Sequence, residues 1–141
     1  MHEESIKRAG EIIAQNTGAD SHCTLALIDD DGYPTASTIT ASKSDGIKWI
    51  TFGSEVGSNK ANRIRKCNRA AVCFNRSGDH NITLVGTIEI VTDADVKRDM
   101  WYSGLENHFA GHDDPNFCVL RFTTKRYNLF VDWKDEVSGE L

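Results

Sequence analysis

Seven short β-prone segments separated by turn-forming residues constrain this chain more than any other feature. They lie at residues 23–28, 33–40, 47–52, 70–74, 82–91, 117–123 and 127–133, and they hold β-branched and aromatic residues that suit a pleated surface. Asp29, Asp30, Asp31 and Gly32 form a turn between the first two, because Asp and Gly tolerate turn backbones. Ser44, Asp45 and Gly46 form the next turn, and Lys125 and Arg126 read as the turn joining the last two segments. Strand candidates at this spacing favour an antiparallel barrel over a parallel α/β sheet. The expected fold is mainly β, with a few short α-helices.

Ile6, Ala9, Ile12 and Ile13 recur at helical spacing, with Glu3 and Glu4 in the first turn and Asn16, Thr17 and Gly18 as a stop. A second helix is predicted over about 59–67. A third is predicted over about 94–109, with Thr92 and Asp95 spaced as a capping box. Gly86, inside a long strand candidate, predicts a bulge or a close backbone approach. No repeat, Pro-rich linker or low-complexity tract divides the chain, so residues 1–141 read as one domain.

The net charge of −5 disfavours nucleic acid as a partner, since bulk electrostatics would oppose binding. No apolar run approaches the roughly 18 residues of a membrane span. The N-terminus lacks the basic and apolar stretches of a signal peptide, so a cytoplasmic location is expected. Cys23, Cys67, Cys73 and Cys118 form no CxxC pair and sit in or beside apolar segments, as reduced thiols do in that compartment. The glycosylation-like triplets at Asn75 and Asn81 have no meaning without a secretory route.

The segment 49–60 carries the clearest chemistry: a strand ends, a small polar loop follows, and a helix begins at Ser58, Asn59 and Lys60. Helix starts expose unpaired N–H groups and bind phosphate, to which Ser58 adds a hydroxyl and Lys60 a charge. Arg63, Arg65, Lys66 and Arg69 continue the basic character. The alternative is a capping serine followed by a solvated basic face. Residues 33–40 include Thr35, Ser37, Thr38 and Thr40 around Ile39, a set able to hydrogen-bond a planar polar ring or simply to form a half-exposed strand. His108 and His112 have metal-ligand spacing, but Gly111 and Pro115 end the helix before both rings share a face, so no metal site is expected. Neither a nucleophile elbow nor a Gly-x-Gly-x-x-Gly or Walker pattern is present.

Four stretches taken in order are more specific than any of them alone. They are 25–34 with its Asp-Asp-Asp-Gly turn, 49–64 with its strand, loop and helix, 67–74, and 85–93 with Gly86 ahead of the segment that holds Trp101. This order resembles the pyridoxamine 5′-phosphate oxidase-like split-barrel superfamily, in particular its short general-stress-protein-26-like branch, over about 23–133. The resemblance implies a six-stranded antiparallel split β-barrel, and a homodimer with FMN at the subunit interface. It also implies phosphate contacts from Ser58 and Lys60, with Asn59 between them, and an isoalloxazine ring bordered by Thr38, Ile39 and Thr40 with Thr51, Gly53 and Ser54 nearby. Ser37 stands where many members have an Arg, and the chain ends soon after Trp133 without the Arg- and Trp-rich substrate motif of true pyridoxamine phosphate oxidases, so vitamin B6 oxidase activity is not expected.

The leading functional expectation is a flavin-dependent oxidoreductase or flavin-binding stress protein, in which the cofactor supplies the chemistry. The alternative is a non-catalytic binder of flavin or of haem, for which His22, His80, His108 and His112 are the available ligands. An interaction module built on the basic helix is a third class, and the acidic net charge weighs against its nucleic-acid form.

Overall fold

A computed structural model describes residues 2–141. The element order is α1 (Glu3–Gln15), β1 (Cys23–Ile28), β2 (Pro34–Ile39), β3 (Ala41–Asp45), β4 (Trp49–Glu55), α2 (Asn59–Lys66), β5 (Arg69–Arg76), β6 (His80–Val91), α3 (Ala94–Asp99), a 3-10 turn (Leu105–Asn107), β7 (Phe117–Val131) and β8 (Val137–Glu140). All pairings are antiparallel, in the order β2-β1-β5-β6-β7-β4-β3, with β8 added along the second half of β7. The mainly β fold and its curled, barrel-like sheet agree with the sequence reading. The strand count is higher than six because β3 and β8 are separate short strands.

β2 and β3 occupy the two ends of the sheet order, yet only Thr40 separates them in the chain. One bent segment therefore joins the two edges, and the sheet closes through the backbone rather than through a ladder. The interior is filled by alternate residues of each strand, including Leu25, Leu27, Ile50, Phe52, Val72, Phe74, Ile82, Leu84, Leu120, Phe122 and Leu129. Burying each large apolar side chain contributes about 1.5–3 kcal/mol relative to exposure. Ala9, Ile12 and Ile13 of α1 join this core, with α1 lying against β7 and β3. The approach is close at Gly10, where a Cβ would stand 2.8 Å from the Cα of Gly46.

Several sequence expectations differ from the structure; Ser44 and Asp45, read as a turn, end β3, and the turn into β4 falls on 46–48. Residues 117–123 and 127–133 are not two strands joined by a Lys-Arg turn. β7 runs continuously to Val131, and the register steps from Val85↔Arg126 to Gly86↔Thr124, leaving Lys125 as an unpaired bulge. Gly86 is the residue opposite, where a Cβ would collide with the carbonyl oxygen of Thr123. The strand also ends before Trp133, because Asp132 and Trp133 both take positive φ (53° and 61°) in a turn closed by the Lys134 N–H on the Val131 carbonyl.

The helix predicted over 94–109 is cut short: α3 ends at Asp99, and Gly104 at φ 115° turns the chain. Its cap is Asp93, whose carboxylate accepts from the N–H groups of Asp95 and Val96, in place of the expected Thr92 box. The apolar residues that suggested a long helix instead build a second core on the other face of β7. There Leu105, Phe109, Phe117 and Val119 pack with Met100, Trp101 and Tyr102.

Candidate functional site

β4 leaves the sheet at Glu55, and the chain turns into α2 through Val56, Gly57 and Ser58. Ser58 is the N-cap: its backbone is extended and its Oγ accepts from the Ala61 N–H at 3.1 Å. The Asn62 N–H is satisfied by the Ser58 carbonyl. The first-turn N–H groups of Asn59 and Lys60 have no acceptor among the described residues, and they lie at the positive end of the helix dipole. Ser54 Oγ lies 2.8 Å from Ser58 Oγ, so strand end and helix start share a hydroxyl pair. Beneath it the Cys118 thiol donates to the Ser54 carbonyl; burial pushes this thiol up, against the pull of the Arg65 and Lys97 charges.

The cations of α2 are used unequally. Arg65 donates to the Val56 carbonyl at 2.8 Å and to Asn62 Oδ1 at 2.9 Å, fastening the loop to the helix. Lys66 meets Asp30 at 2.9 Å. Arg63 reaches across to Thr35 Oγ1 at 3.5 Å on β2. Lys60 makes no ion pair or side-chain hydrogen bond among the described residues, and it is half-buried at the helix start.

The structure brings Ser54, Ser58, Asn59 and Lys60 together and puts the other site candidates elsewhere. Thr51 and Gly53 point to the opposite face of β4 from Ser54, as strand alternation requires. Thr51 is fully buried, and its hydroxyl pairs with Ser42 Oγ at 2.7 Å and meets Met100 Sδ at 3.3 Å. Gly53 lies under Phe117 and Leu105, whose side-chain atoms would stand 3.1 and 3.2 Å from a Cβ. Thr38 is exposed on β2 opposite Thr24, and Ile39 packs partly into the main core. Thr40 donates to the Ser21 carbonyl at 2.9 Å and its hydroxyl interacts with the Tyr102 phenol, which burial pushes up and Thr40 pulls back.

Met100 and Tyr102 thus link Thr51 to Thr40, a role the sequence did not single out because both fell inside the predicted helix. The loop behind them is held by Lys97, which is almost fully buried and donates to the Asp114 carbonyl at 2.9 Å. His22, His108 and His112 are exposed, and the buried His80 is held by Asp79 at 2.7 Å on the distant β5–β6 turn. The four cysteines are free, with Cys23 and Cys118 buried.

The family model for pyridoxamine 5′-phosphate oxidase matches residues 13–130, from the end of α1 almost to the end of β7. The chain belongs to the pyridoxamine 5′-phosphate oxidase family. Within this family it is similar to general stress protein 26 of Bacillus subtilis, at 35% identity over 65 residues, 45% of this chain and 46% of that relative. The matched stretch is therefore about half the length of the curated relative. A Clostridium acetobutylicum protein related to general stress protein 26 superposes with a TM-score of 0.84 at 24% identity, covering 100% of this chain and 97% of that one. A heme-binding protein from Mycobacterium smegmatis superposes with a TM-score of 0.73 at 17% identity, over 96% of this chain and 57% of that one. Both structures share the family's fold. No helix among the described residues is long and apolar enough to cross a membrane.

Proposed function

We propose that this family member binds FMN as a homodimer and acts as a flavin-dependent oxidoreductase with a role in stress. The observation that carries the reading is the α2 start: two N–H groups without acceptors, the Ser54–Ser58 hydroxyl pair, and Lys60 with no carboxylate partner. This donor set fits a phosphate monoester in charge and hydrogen-bonding capacity. Ser58, Asn59 and Lys60 would hold the phosphate, and Ser54 would support Ser58. Thr38, Ile39 and Thr40 would border the ring on the β2 side, while Thr51 and Gly53 act from beneath by fixing the Met100–Leu105 segment. Bound FMN would supply hydride and single-electron chemistry, with these residues holding and orienting it.

The second copy fits the outer face of β2, β1, β5 and β6. Ala26, Ile28, Pro34, Ala71 and Val85 line an open, mostly apolar recess there, flanked by Arg69. Haem is the weaker reading, because an axial ligand needs a histidine aimed into an apolar cavity, whereas His22, His108 and His112 are exposed, His80 is held by Asp79 and the half-buried His2 packs edge-on against Tyr127. Absorption spectroscopy of the purified protein with added FMN, followed by sedimentation, tests the proposal. Flavin bands with a protein-shifted shape and a dimer mass are expected. Riboflavin bound as tightly as FMN, or a Soret band alone, would overturn it.

A further inference from the structure

One row of outward side chains crosses six strands: Ala36, Ala26, Ala71, Val85, Arg126 and Glu140, each opposite the next in the ladder. Alanine is depleted in strands, so its recurrence on three neighbouring strands at one level is a property of the surface and not of propensity. Short side chains leave the backbone low and let another surface come close. The row ends in two opposite charges. Arg126 and Glu140 stand directly opposite each other on β7 and β8, a spacing at which opposite charges can pair. Glu89 and Arg121 have the same cross-strand placement, and they do pair, at 2.6 Å. Arg126 and Glu140 are exposed and make no ion pair or side-chain hydrogen bond among the described residues. Glu140 is nonetheless on a fastened strand. Asn128 donates to Ser138 Oγ at 2.9 Å and to Glu136 Oε1 at 2.8 Å, and the Leu141 N–H meets the Lys125 carbonyl at 2.9 Å. The two charges flank an open recess of about 450 Å³ that includes Val85, and Val85 also lines the apolar recess of Ala26 and Ala71. The surface is therefore continuous from β2 to β8.

We propose that the second copy is held by two reciprocal ion pairs, Arg126 of each copy with Glu140 of the other, which makes β8 part of the dimer contact. This rests on the homodimer reading above and goes beyond it in assigning a strand and a pair of charges. A twofold interface has to be self-complementary, because each copy meets the same patch that it presents. A neutral floor of Ala26, Ala71 and Val85 satisfies that condition in any orientation. A single unpaired charge would violate it, whereas an arginine beside a glutamate satisfies it when the two meet in exchanged order. A partner of one dominant charge would match only one of the two groups and be repelled by the other. The pairs lie at the exposed end of the row, so they set register and orientation while the apolar floor carries the burial.

The test is sedimentation of the full chain as wild type, Arg126→Glu, Glu140→Arg and an equimolar mixture of the two variants, with melting curves recorded for each. Either variant alone places like charges at both contacts, and its dimer should be about 10- to 100-fold weaker than the wild-type dimer. In the mixture both contacts are complementary again, so a heterodimer within about threefold of wild-type affinity is expected. Repulsion between positions 126 and 140 inside one chain persists on mixing, so recovery cannot come from a repaired β8. Raising the salt concentration should loosen the wild-type dimer and tighten those of the single variants, because the charges are exposed. Single variants that dimerise as tightly as wild type, or a mixture no tighter than its components, would overturn the Arg126–Glu140 assignment and leave the homodimer standing. A wild type that sediments as a monomer would overturn both.

Discussion

Thr51→Val separates a structural role for Thr51 from direct contact with a cofactor. The substitution keeps the shape of the side chain and removes the hydroxyl that Ser42 Oγ meets at 2.7 Å in a fully buried setting. A net hydrogen bond is worth about 1 kcal/mol, and a buried hydroxyl left without a partner costs about 1–3 kcal/mol. Ser42 is 5% exposed, so water cannot replace the lost partner cheaply. For 141 residues the unfolding entropy is about 0.3 kcal/mol/K, which converts 1–3 kcal/mol into a fall in Tm of about 3–10 °C. Ser42→Ala should cost a similar amount, and the double variant should cost less than the sum, with a coupling of about 0.5–2 kcal/mol. Calorimetric melting of the four proteins completes the cycle, and FMN affinity should stay within about twofold throughout. Strictly additive losses, or a Thr51→Val protein that melts normally but loses FMN, would refute the reasoning.

Lys60→Ala should weaken FMN binding about 10- to 100-fold, since a charge-assisted hydrogen bond is worth about 1.5–3 kcal/mol, while Lys66→Ala should change it far less because Lys66 is engaged by Asp30; fluorescence titration reads both. Gly10→Ala should destabilise the fold, because the Cβ placed 2.8 Å from the Gly46 backbone costs about 1–3 kcal/mol and outweighs the helix-propensity gain of about 1 kcal/mol; a higher Tm would contradict the packing account. Asp114 accepts from the Ala110 and Asn116 N–H groups, which hold its carboxyl below the usual range. Its folded pKa is depressed, so its contribution is complete above about pH 4 and is lost as pH falls through the lowered value. Protection of the Ala110 and Asn116 amides against hydrogen exchange, relative to intrinsic rates, should therefore fall in acid, and in Asp114→Ala it should be low at neutral pH as well.

Much of the fold was legible because the strand interiors alternate cleanly. β1 and β5 each place every second residue in one core, and Gly86 meets one of its two expected roles, the close backbone approach, opposite a bulge that falls on Lys125. The misreadings share a physical cause: polarity marks contact with water, and both turns and bulges make that contact. Lys125 and Arg126 are exposed within a continuous strand for this reason. Val96, Met100, Leu105 and Phe109 have near-helical spacing because they must all face one sheet, which a chain wrapping over it achieves as well as a helix. The cap at Ser58 was readable from residue type and order. The occupation of Thr51 by Ser42 was not, because the pair is made across β3 and β4 by residues whose types give no sign of burial.

Because β2 passes into β3 through Thr40 alone, the circumference of the barrel contains one link that is a torsion rather than a row of hydrogen bonds. The residues on either side of it are each held in a ladder, Ile39 against Cys23 and Ala41 against Phe52. The contacts that brace this link directly are those from Thr40 to the Ser21 carbonyl and the Tyr102 phenol, and the Gly18 N–H on the Ala41 carbonyl at 2.8 Å. The seam between the two edges is thus held by a few local contacts, and opening there would cost less free energy than global unfolding.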